Sequence, residues 1–398
     1  MKNSMSWLQI GVVALCFLLN FNDGIDVLLV SFTGSEIMKE FGLTNTELGY
    51  IFSSGLGGMT AGCFILAPLG DRIGRRKIFL ISLLLISLGM LLVNFSTHYG
   101  LLLACRAITG LGIGGILPNL ATVAAEFSTD KTRDFNVGIV QGGWPLGAIL
   151  TGFVSAWIVP LYGWRFAYLS AGLFSLGMLV AVYVVLPESP DFLNRTNRLT
   201  QKSSWRDLFV PEFRQSTIQL WLATFFGFIT LYTVLSWVPI LAKQSGMPFE
   251  LATYIGTAMN LGAFSGVFVM GLLIGRLGIK RVILVYVMLA FVLLNLYGNL
   301  DQDFVLKFAL TFGIGFFVQG GFNTMYPAST RIYPSEIRST GVGLAMGMGR
   351  FGAILGPSLF GLLADSGASI STRFIVFSLP IVVAGVLINQ IKTLDIRH

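Results

Sequence analysis

The amino-acid sequence predicts an all-α membrane protein with twelve transmembrane helices, arranged as two pseudo-symmetric halves of six helices each. The composition, the spacing of apolar runs and an internal repeat lead to this prediction. Hydrophobic residues make up 54% of the 398 residues and charged residues 11%, and the mean hydropathy is +0.78. Soluble domains carry about 25% charged residues. The composition therefore excludes a cytosolic enzyme, a nucleic-acid-binding module and a disordered protein.

Twelve apolar runs, bounded by charged residues, glycine or proline, are long enough to cross a bilayer, which takes about 20 apolar residues. We place the spans at residues 7–33, 44–67, 78–96, 99–126, 135–160, 164–186, 216–242, 250–275, 282–299, 304–331, 339–364 and 372–391. The longest polar stretch follows the sixth span. We therefore divide the chain into a first half at 1–186, a cytoplasmic linker at 187–215 and a second half at 216–398.

The distribution of Lys and Arg predicts the orientation of the chain. Of the 26 Lys and Arg residues, 19 fall in the termini and loops of one side and 5 in the loops of the other. Cytoplasmic loops are enriched in these residues, so we predict that both termini are cytoplasmic. The same loops account for the net charge of +7. The predicted partner of this charge is the lipid bilayer and not a nucleic acid.

A repeat with a period of about 204 residues relates the two halves. Gly74, after the second span, matches Gly278 after the eighth, and the tetrapeptide Gly-Ala-Ile-Leu at 147–150 recurs at 352–355. Parallel repeats of this kind are typical of secondary transporters, in which the substrate site lies between the repeats near the middle of the bilayer.

Four ionisable residues fall inside the spans, where charges are costly and usually functional. They are Asp23, Asp26, Arg106 and Arg350. Arginine keeps its proton and presents a fork of donors that fits a carboxylate, so we predict that Arg350 and Arg106 bind the substrate. A carboxyl group exchanges a proton when its surroundings shift its pKa, so we predict that Asp23 and Asp26 carry the coupling proton. The structural alternative is an Asp23–Arg106 ion pair that locks two spans together.

Polar and aromatic side chains within the spans are further candidates for the substrate site. An aromatic side chain can stack on the ring of a substrate, although packing in the core explains each of these residues equally well. The candidates are Gln319, Asn323, Tyr326, Trp144, Tyr232 and Trp237. The first three share one helix face, because they are spaced at i, i+4 and i+7.

Motifs of other chemistries are missing from the sequence. It contains no Gly-Lys dipeptide, hence no Walker A motif, and no His-Glu-x-x-His. The Gly-rich run at 110–115 lies inside a span, where small residues serve helix packing. We therefore predict that the protein is not an enzyme and has neither a metal site nor a cofactor, with the proton as coupling ion.

Residues 67–77 read A-P-L-G-D-R-I-G-R-R-K and resemble the G-x-L-x-D-R-x-G-R-R signature of the major facilitator superfamily. Three segments resemble the aromatic acid/proton symporters of that superfamily: Asp-Gly-Ile-Asp at 23–26, the glycine-rich run at 106–115 and the long segment at 333–357. The resemblance implies a symporter of the bacterial inner membrane that imports a small organic carboxylate together with a proton. Hydroxybenzoate and benzoate are the substrates it implies first.

The resemblance also implies a gate on the cytoplasmic side, in which Asp71 and Arg75 latch the two halves. Other charged residues of the same surface join this predicted gate, unless they only set the topology. The full set is Asp71, Arg72, Arg75, Arg76, Glu126, Arg133, Glu336 and Arg338.

Alternative functions stay open at this point. Within transport they are uptake of nicotinate, uptake of muconate or another dicarboxylate, and proton-driven efflux of a drug or metabolite. Outside transport, the alternative is a transporter-like membrane sensor. We expect the protein to act as a monomer.

Overall fold

The computed structural model describes residues 5–129, 131–189, 205–299 and 303–395. It does not describe the side chains of Asp71, Asp134, Trp205, Ser335, Glu336, Ser339, Thr393 and Asp395. Within these ranges the secondary structure is helical, and twelve segments are long and apolar enough to cross a membrane. The prediction of an all-α protein with twelve transmembrane helices is confirmed.

The helices of the first half of the chain are α1 (Trp7–Phe41), α2 (Asn45–Ile73), α3 (Arg75–Val93), α4 (Tyr99–Glu126), α5 (Arg133–Tyr162) and α6 (Trp164–Val185). The second half contains α7 (Pro211–Gln244), α8 (Phe249–Leu277), α9 (Ile279–Asn299), α10 (Phe304–Asn323), α11 (Met325–Ile332), α12 (Ser335–Asp365) and α13 (Ile370–Asn389). Short 3-10 helices lie at Trp205–Phe209 and Lys392–Asp395. Helices α10 and α11 form one span that is interrupted at Thr324.

Local sequence features explain where α1 begins and ends and where α7 begins. A capping box starts α1, since the Ser6 hydroxyl accepts from the Gln9 amide and the Gln9 side chain accepts from the Ser6 amide. The helix ends at Phe41, beyond the predicted end of the span at residue 33. The prediction located the end of the apolar run, whereas the helix extends through the polar and charged residues that follow it. Proline favours the first position of a helix, so α7 begins at Pro211, inside the stretch that we predicted as linker.

The chain packs as two compact units. The first comprises Met1–Gly42 and Ser54–Leu199, and the second comprises Leu43–Ser53 and Thr200–His398. The start of α2 therefore belongs to the second unit, although the rest of that helix belongs to the first.

Glycines allow the helices to pack closely, and they do so at equivalent positions in each unit. In the first unit, a Cβ on Gly147 of α5 would lie 2.1 Å from the Phe21 carbonyl oxygen of α1. In the second, a Cβ on Gly352 of α12 would lie 2.1 Å from the Phe225 carbonyl oxygen of α7. Both distances are far below van der Waals contact. Only glycine fits, and the repeat seen in the sequence is also a repeat of helix packing.

A second pair of contacts follows the same repeat. A Cβ on Gly58 of α2 would lie 2.1 Å from the Ala107 carbonyl oxygen of α4, and a Cβ on Gly262 of α8 would lie 1.9 Å from the Phe312 carbonyl oxygen of α10. The residues that make these contacts are related by the offset of about 204 read from the sequence. The helices that follow α2 and α8 also start alike, after a glycine with positive φ.

Candidate functional site

A buried ion pair joins α1 and α4 in the first unit. Arg106 Nη1 donates to Asp26 Oδ1 at 2.6 Å, and Arg106 Nη2 donates to Asp26 Oδ2 at 3.3 Å. Asp26 is 1% exposed and Arg106 is 4% exposed. Both charges are thus removed from solvent, and the two-pronged geometry is the one that suits a guanidinium and a carboxylate.

From the sequence, an Asp23–Arg106 ion pair was the structural alternative, whereas the structure shows Arg106 paired with Asp26. The two aspartates lie one helical turn apart on α1. Counting residues from the start of a span does not resolve one turn, because helix tilt and the true helix ends shift the depth of each residue. Asp23 is itself buried in the same helix. Both carboxylates therefore lie inside the first unit, as the proton hypothesis requires.

Two residues that sequence reasoning missed surround this pair. Gly55 of α2 lies against the guanidinium, since a Cβ there would be 2.9 Å from Arg106 Nη2. Tyr168 of α6 is fully buried and interacts electrostatically with Arg106 and Asp26. No sequence signal separates Gly55 from the many other glycines within spans, and Tyr168 is one of several tyrosines in apolar runs.

The second unit has no ion pair at the equivalent positions among its described residues. The offset of the repeat places Thr230 where the first unit has Asp26, and Thr311 where it has Arg106. The Thr230 hydroxyl donates to the Phe377 carbonyl oxygen at 2.8 Å, and the Thr311 hydroxyl donates to a carbonyl of its own helix. The same helix packing therefore forms with two hydroxyls in these places. The fold does not require the Asp26–Arg106 pair.

Arg350 of α12 lies among aromatic side chains in the second unit. Its Nη1 donates to the Tyr232 hydroxyl at 3.2 Å, and its Cζ lies 5.8 Å from the centroid of the Phe228 ring. The Phe228 and Tyr232 rings stack nearly in parallel, with centroids 5.4 Å apart and an interplanar angle of 10°. The guanidinium thus contacts one ring face and one phenol hydroxyl of α7.

Two further rings come from the interrupted span. Phe322 meets Phe228 edge to face, with centroids 4.6 Å apart, and Tyr326 follows Phe322 at 6.3 Å. Tyr326 is 42% exposed and interacts electrostatically with Arg350. The arginine–aromatic cluster consists of Phe228, Tyr232, Phe322, Tyr326 and Arg350. It offers a cation beside ring faces, and discontinuous helices are frequent at transporter binding sites.

The other predicted substrate-binding residues lie in different surroundings. Trp237 is 1% exposed and its indole nitrogen donates to the Pro357 carbonyl oxygen at 3.0 Å, which is the packing role that we gave as its alternative. Asn323 donates to the Gln319 carbonyl oxygen at 2.8 Å, and both side chains are half-buried. Trp144 is half-buried on α5, where its carbonyl oxygen approaches Gly24 of α1.

Part of the predicted gate forms a cluster at one end of the first unit. Arg75 makes an ion pair with Glu126, which also accepts a hydrogen bond from the Ser189 hydroxyl at 2.5 Å. Arg76 donates through its backbone amide to Glu188 at 3.2 Å and through Nη2 to the Tyr183 carbonyl oxygen at 2.6 Å. Glu188 and Ser189 were not among the predicted residues, although the Pro-Glu-Ser-Pro sequence in which they lie marks them. These contacts tie α3 and α4 to the segment that follows α6.

The remaining gate residues are dispersed. Arg72 and Arg133 are exposed in the first unit, and Arg338 of the second unit donates from Nε to the Tyr333 carbonyl oxygen at 3.2 Å. The side chains of Asp71 and Glu336 lie outside the described part of the chain. The role of these residues as a gate stays a prediction.

Comparison with known proteins identifies the family. The model of the Major Facilitator Superfamily matches residues 15–294 and 220–389. A gallate transporter of Pseudomonas putida is 30% identical over 95% of this chain and 90% of its own length. A 4-hydroxybenzoate transporter of Pseudomonas aeruginosa is 31% identical over 89% and 86%, and a 3-(3-hydroxy-phenyl)propionate transporter of Escherichia coli is 31% identical over 89% and 87%.

Solved structures show the same fold. A D-xylose–proton symporter superposes with a TM-score of 0.77 at 18% identity, covering 95% of this chain and 97% of that one. A bacterial homologue of the human lysosomal transporter Spinster gives a TM-score of 0.79 at 16% identity, covering 97% of each chain. The predicted superfamily and its aromatic acid branch are confirmed, and the relatives are transporters and not enzymes. This multi-pass membrane protein belongs to the major facilitator superfamily, in which its relatives transport aromatic acids.

Proposed function

We propose that the protein is a proton-coupled symporter that imports a small aromatic carboxylate. The observation that carries this proposal is the arginine–aromatic cluster, in which Arg350 and the exposed Tyr326 lie together within membrane spans. Arginine suits a carboxylate, and tyrosine faces suit an aromatic ring. The relatives are named as transporters of gallate, 4-hydroxybenzoate and 3-(3-hydroxy-phenyl)propionate. Each of these compounds has both a carboxylate and an aromatic ring.

The geometry around Arg350 is compatible with exchange of its hydrogen-bond partner. The bond to the Tyr232 hydroxyl is 3.2 Å long, whereas charge-assisted bonds from arginine to a carboxylate are about 2.7–2.9 Å and roughly twice as strong as neutral ones. A substrate carboxylate therefore competes well for the guanidinium. In the bound state the carboxylate lies on Arg350 and the ring lies against Tyr232 and Tyr326.

The Asp26–Arg106 pair and Asp23 are the proposed proton site. Charges inside a membrane span are costly, and the second unit builds the same packing with Thr230 and Thr311. We therefore attribute the free-energy cost of placing this ion pair inside the membrane span to a role in proton coupling. A proton on Asp26 cancels its charge and releases Arg106 from its partner. A proton that travels with a monoanion makes the step electroneutral, so that a pH gradient alone drives uptake.

Orientation and location follow from the same proposal. We infer that both termini are cytoplasmic, from the excess of Lys and Arg on that side. The bacterial relatives and the need for a proton gradient favour the inner membrane. We infer that the monomer is the functional form, and that Asp71, Arg75 and their neighbours close its cytoplasmic side.

Uptake into proteoliposomes tests the function. Purified protein is reconstituted, an inward proton gradient is imposed, and accumulation of labelled 4-hydroxybenzoate is followed with and without a protonophore. Unlabelled benzoate, nicotinate, muconate and glucose serve as competitors, and empty liposomes correct for diffusion of the neutral acid. We expect protein-dependent accumulation that collapses with the protonophore and that benzoate inhibits more strongly than glucose. Export from preloaded vesicles without gradient-driven uptake would instead establish efflux.

A further inference from the structure

We propose that Phe228 is a positioning residue for the substrate carboxylate, because its ring face holds the Arg350 guanidinium and the Tyr232 ring in their relative geometry. The inference rests on the proposed function and deepens it. It assigns a role to a residue that the sequence pattern did not single out. It also divides the site into groups that meet the substrate, of which Tyr326 is exposed and Arg350 and Tyr232 are half-buried, and a buried ring that orients them.

Phe228 is too deeply buried to be a substrate contact. It is 4% exposed, whereas Tyr326 of the same cluster is 42% exposed. It lies one helical turn before Tyr232 on α7, the spacing at which side chains of a helix meet. The two rings stack at 5.4 Å and 10°. Phe228 therefore acts on the site through the residues that it contacts.

The Phe228 ring also contacts the guanidinium. Arg350 Cζ lies 5.8 Å from the ring centroid, within the distance of about 6 Å at which a cation is attracted to a ring face. This attraction is stronger at desolvated sites than at exposed ones. The hydrogen bond from Nη1 to Tyr232 fixes one atom of the guanidinium. The ring face adds a second restraint on the orientation of that group.

The Phe228 ring is itself held on two further sides. A Cβ on Gly349, the residue before Arg350, would lie 2.5 Å from Phe228 Cδ2, so the α12 backbone lies directly against the ring. The Phe322 edge meets it at 4.6 Å and 89°. The ring therefore cannot rotate without moving α12 or Phe322. A rigid support of this kind reduces the conformational freedom that Arg350 loses when it binds a ligand, and so raises affinity.

Graded fluorination of Phe228 tests the proposal, because fluorine weakens the negative ring face and changes ring size little. Fluoro-, difluoro- and trifluorophenylalanine are introduced at position 228, and uptake of labelled 4-hydroxybenzoate is measured across substrate concentrations. We expect KM to rise stepwise with each fluorine, reaching about tenfold for the trifluoro variant, while the maximal rate changes less than twofold. Phe228→Leu removes the ring and is expected to reach a similar KM.

The chain offers a matched control in Phe316, which stacks on Tyr286 at 5.7 Å and 22° in the same unit. Phe316→Leu removes a stacked ring away from Arg350, and we expect it to leave KM unchanged. A KM that stays flat across the fluorinated series would overturn the proposal, even if Phe228→Leu impairs uptake, since only shape would then matter. Wild-type protein is assayed in the same preparation. If folded wild-type protein takes up no aromatic carboxylate, the proposed function fails and this inference with it.

Discussion

Asp26 and Arg106 bind each other through two hydrogen bonds, of 2.6 and 3.3 Å, in the interior of the first unit. The second unit has Thr230 and Thr311 at the equivalent positions of the repeat. Removing one member of a buried ion pair leaves an uncompensated charge, whereas replacing both with neutral groups of similar volume is often tolerated. The second unit therefore indicates which neutral residues to introduce in place of Asp26 and Arg106. Replacing both with threonine tests the effect of the pair on transport separately from its effect on stability.

The first prediction uses that replacement. Asp26→Thr alone leaves Arg106 buried without its acceptor and is expected to lower the free energy of unfolding by about 3–5 kcal/mol. The double variant Asp26→Thr, Arg106→Thr is expected to recover part of this loss, because no buried charge is left unpaired although the volume of the arginine side chain is lost. Neither variant is expected to show proton-driven uptake. Thermal unfolding in detergent and uptake into proteoliposomes measure the two effects. A double variant that still accumulates substrate along a proton gradient would rule the pair out as the coupling site.

The second prediction concerns Gly55, which lies against the guanidinium. A Cβ at this position would come within 2.9 Å of Arg106 Nη2 and 3.4 Å of Nε. Overpacking of this kind costs about 1–3 kcal/mol, so Gly55→Ala is expected to displace Arg106, destabilise the protein and reduce uptake.

Gly57 provides the matched control for Gly55. It lies in the same helix, and a Cβ there would meet nothing within 4 Å. Since alanine is about 1 kcal/mol better than glycine in a helix interior, Gly57→Ala is expected to leave uptake unchanged and the melting temperature equal or slightly raised. Equal losses of uptake in both variants would show that the effect does not arise at Arg106.

The third prediction separates charge from geometry at Arg350. Arg350→Lys keeps the positive charge but removes the planar fork of donors. Loss of one charge-assisted hydrogen bond costs about 1.5–3 kcal/mol, which corresponds to a rise in KM of roughly 10- to 150-fold. We expect this rise for aromatic carboxylates, with a smaller change in the maximal rate. The exposed Arg276 of the same unit is the control, and Arg276→Lys is expected to have no effect on KM. An unchanged KM in Arg350→Lys would place the carboxylate elsewhere.

Features that depend on periodicity and composition could be predicted from the sequence. Contacts that depend on a single helical turn or on the direction of one side chain could not. The helices and the repeat follow from apolar runs and matching glycines. Asp26 as the partner of Arg106 does not follow, because Asp23 lies one turn away in the same run. The sequence is equally consistent with Trp237 as a substrate-binding residue and as a core residue. Only the hydrogen bond from its indole nitrogen to the Pro357 carbonyl oxygen distinguishes the two roles. The sequence does not distinguish Phe228 from the other phenylalanines among the 33 of the chain. Only its stacking geometry in the structure identifies it.

The last prediction concerns Asp365, whose carboxylate caps the start of α2 inside the second unit. Its Oδ1 accepts from the Asn45 backbone amide at 3.1 Å and from the Asn45 side chain at 2.8 Å, and its Oδ2 accepts from the Thr46 amide at 2.7 Å. An asparagine side chain has one acceptor oxygen in place of two, so Asp365→Asn leaves a donor at the helix start unpaired and removes a charge that the helix dipole favours. Because these hydrogen bonds are exposed, we expect the free energy of unfolding to fall by about 0.5–1.5 kcal/mol, with faster hydrogen exchange at the Thr46 amide.

Asp303 is the matched control for Asp365, because among the described residues it caps α10 through Oδ1 only, which accepts from the Leu306 amide at 2.9 Å. Asparagine caps helices about as well as aspartate when one oxygen suffices. Asp303→Asn is therefore expected to leave stability nearly unchanged, and the difference between the two variants measures the value of the second oxygen. Equal stability of both variants would mean that solvent satisfies the start of α2 as well as Asp365 does. A selective loss in Asp365→Asn would establish that a residue 320 positions away along the chain anchors this end of α2.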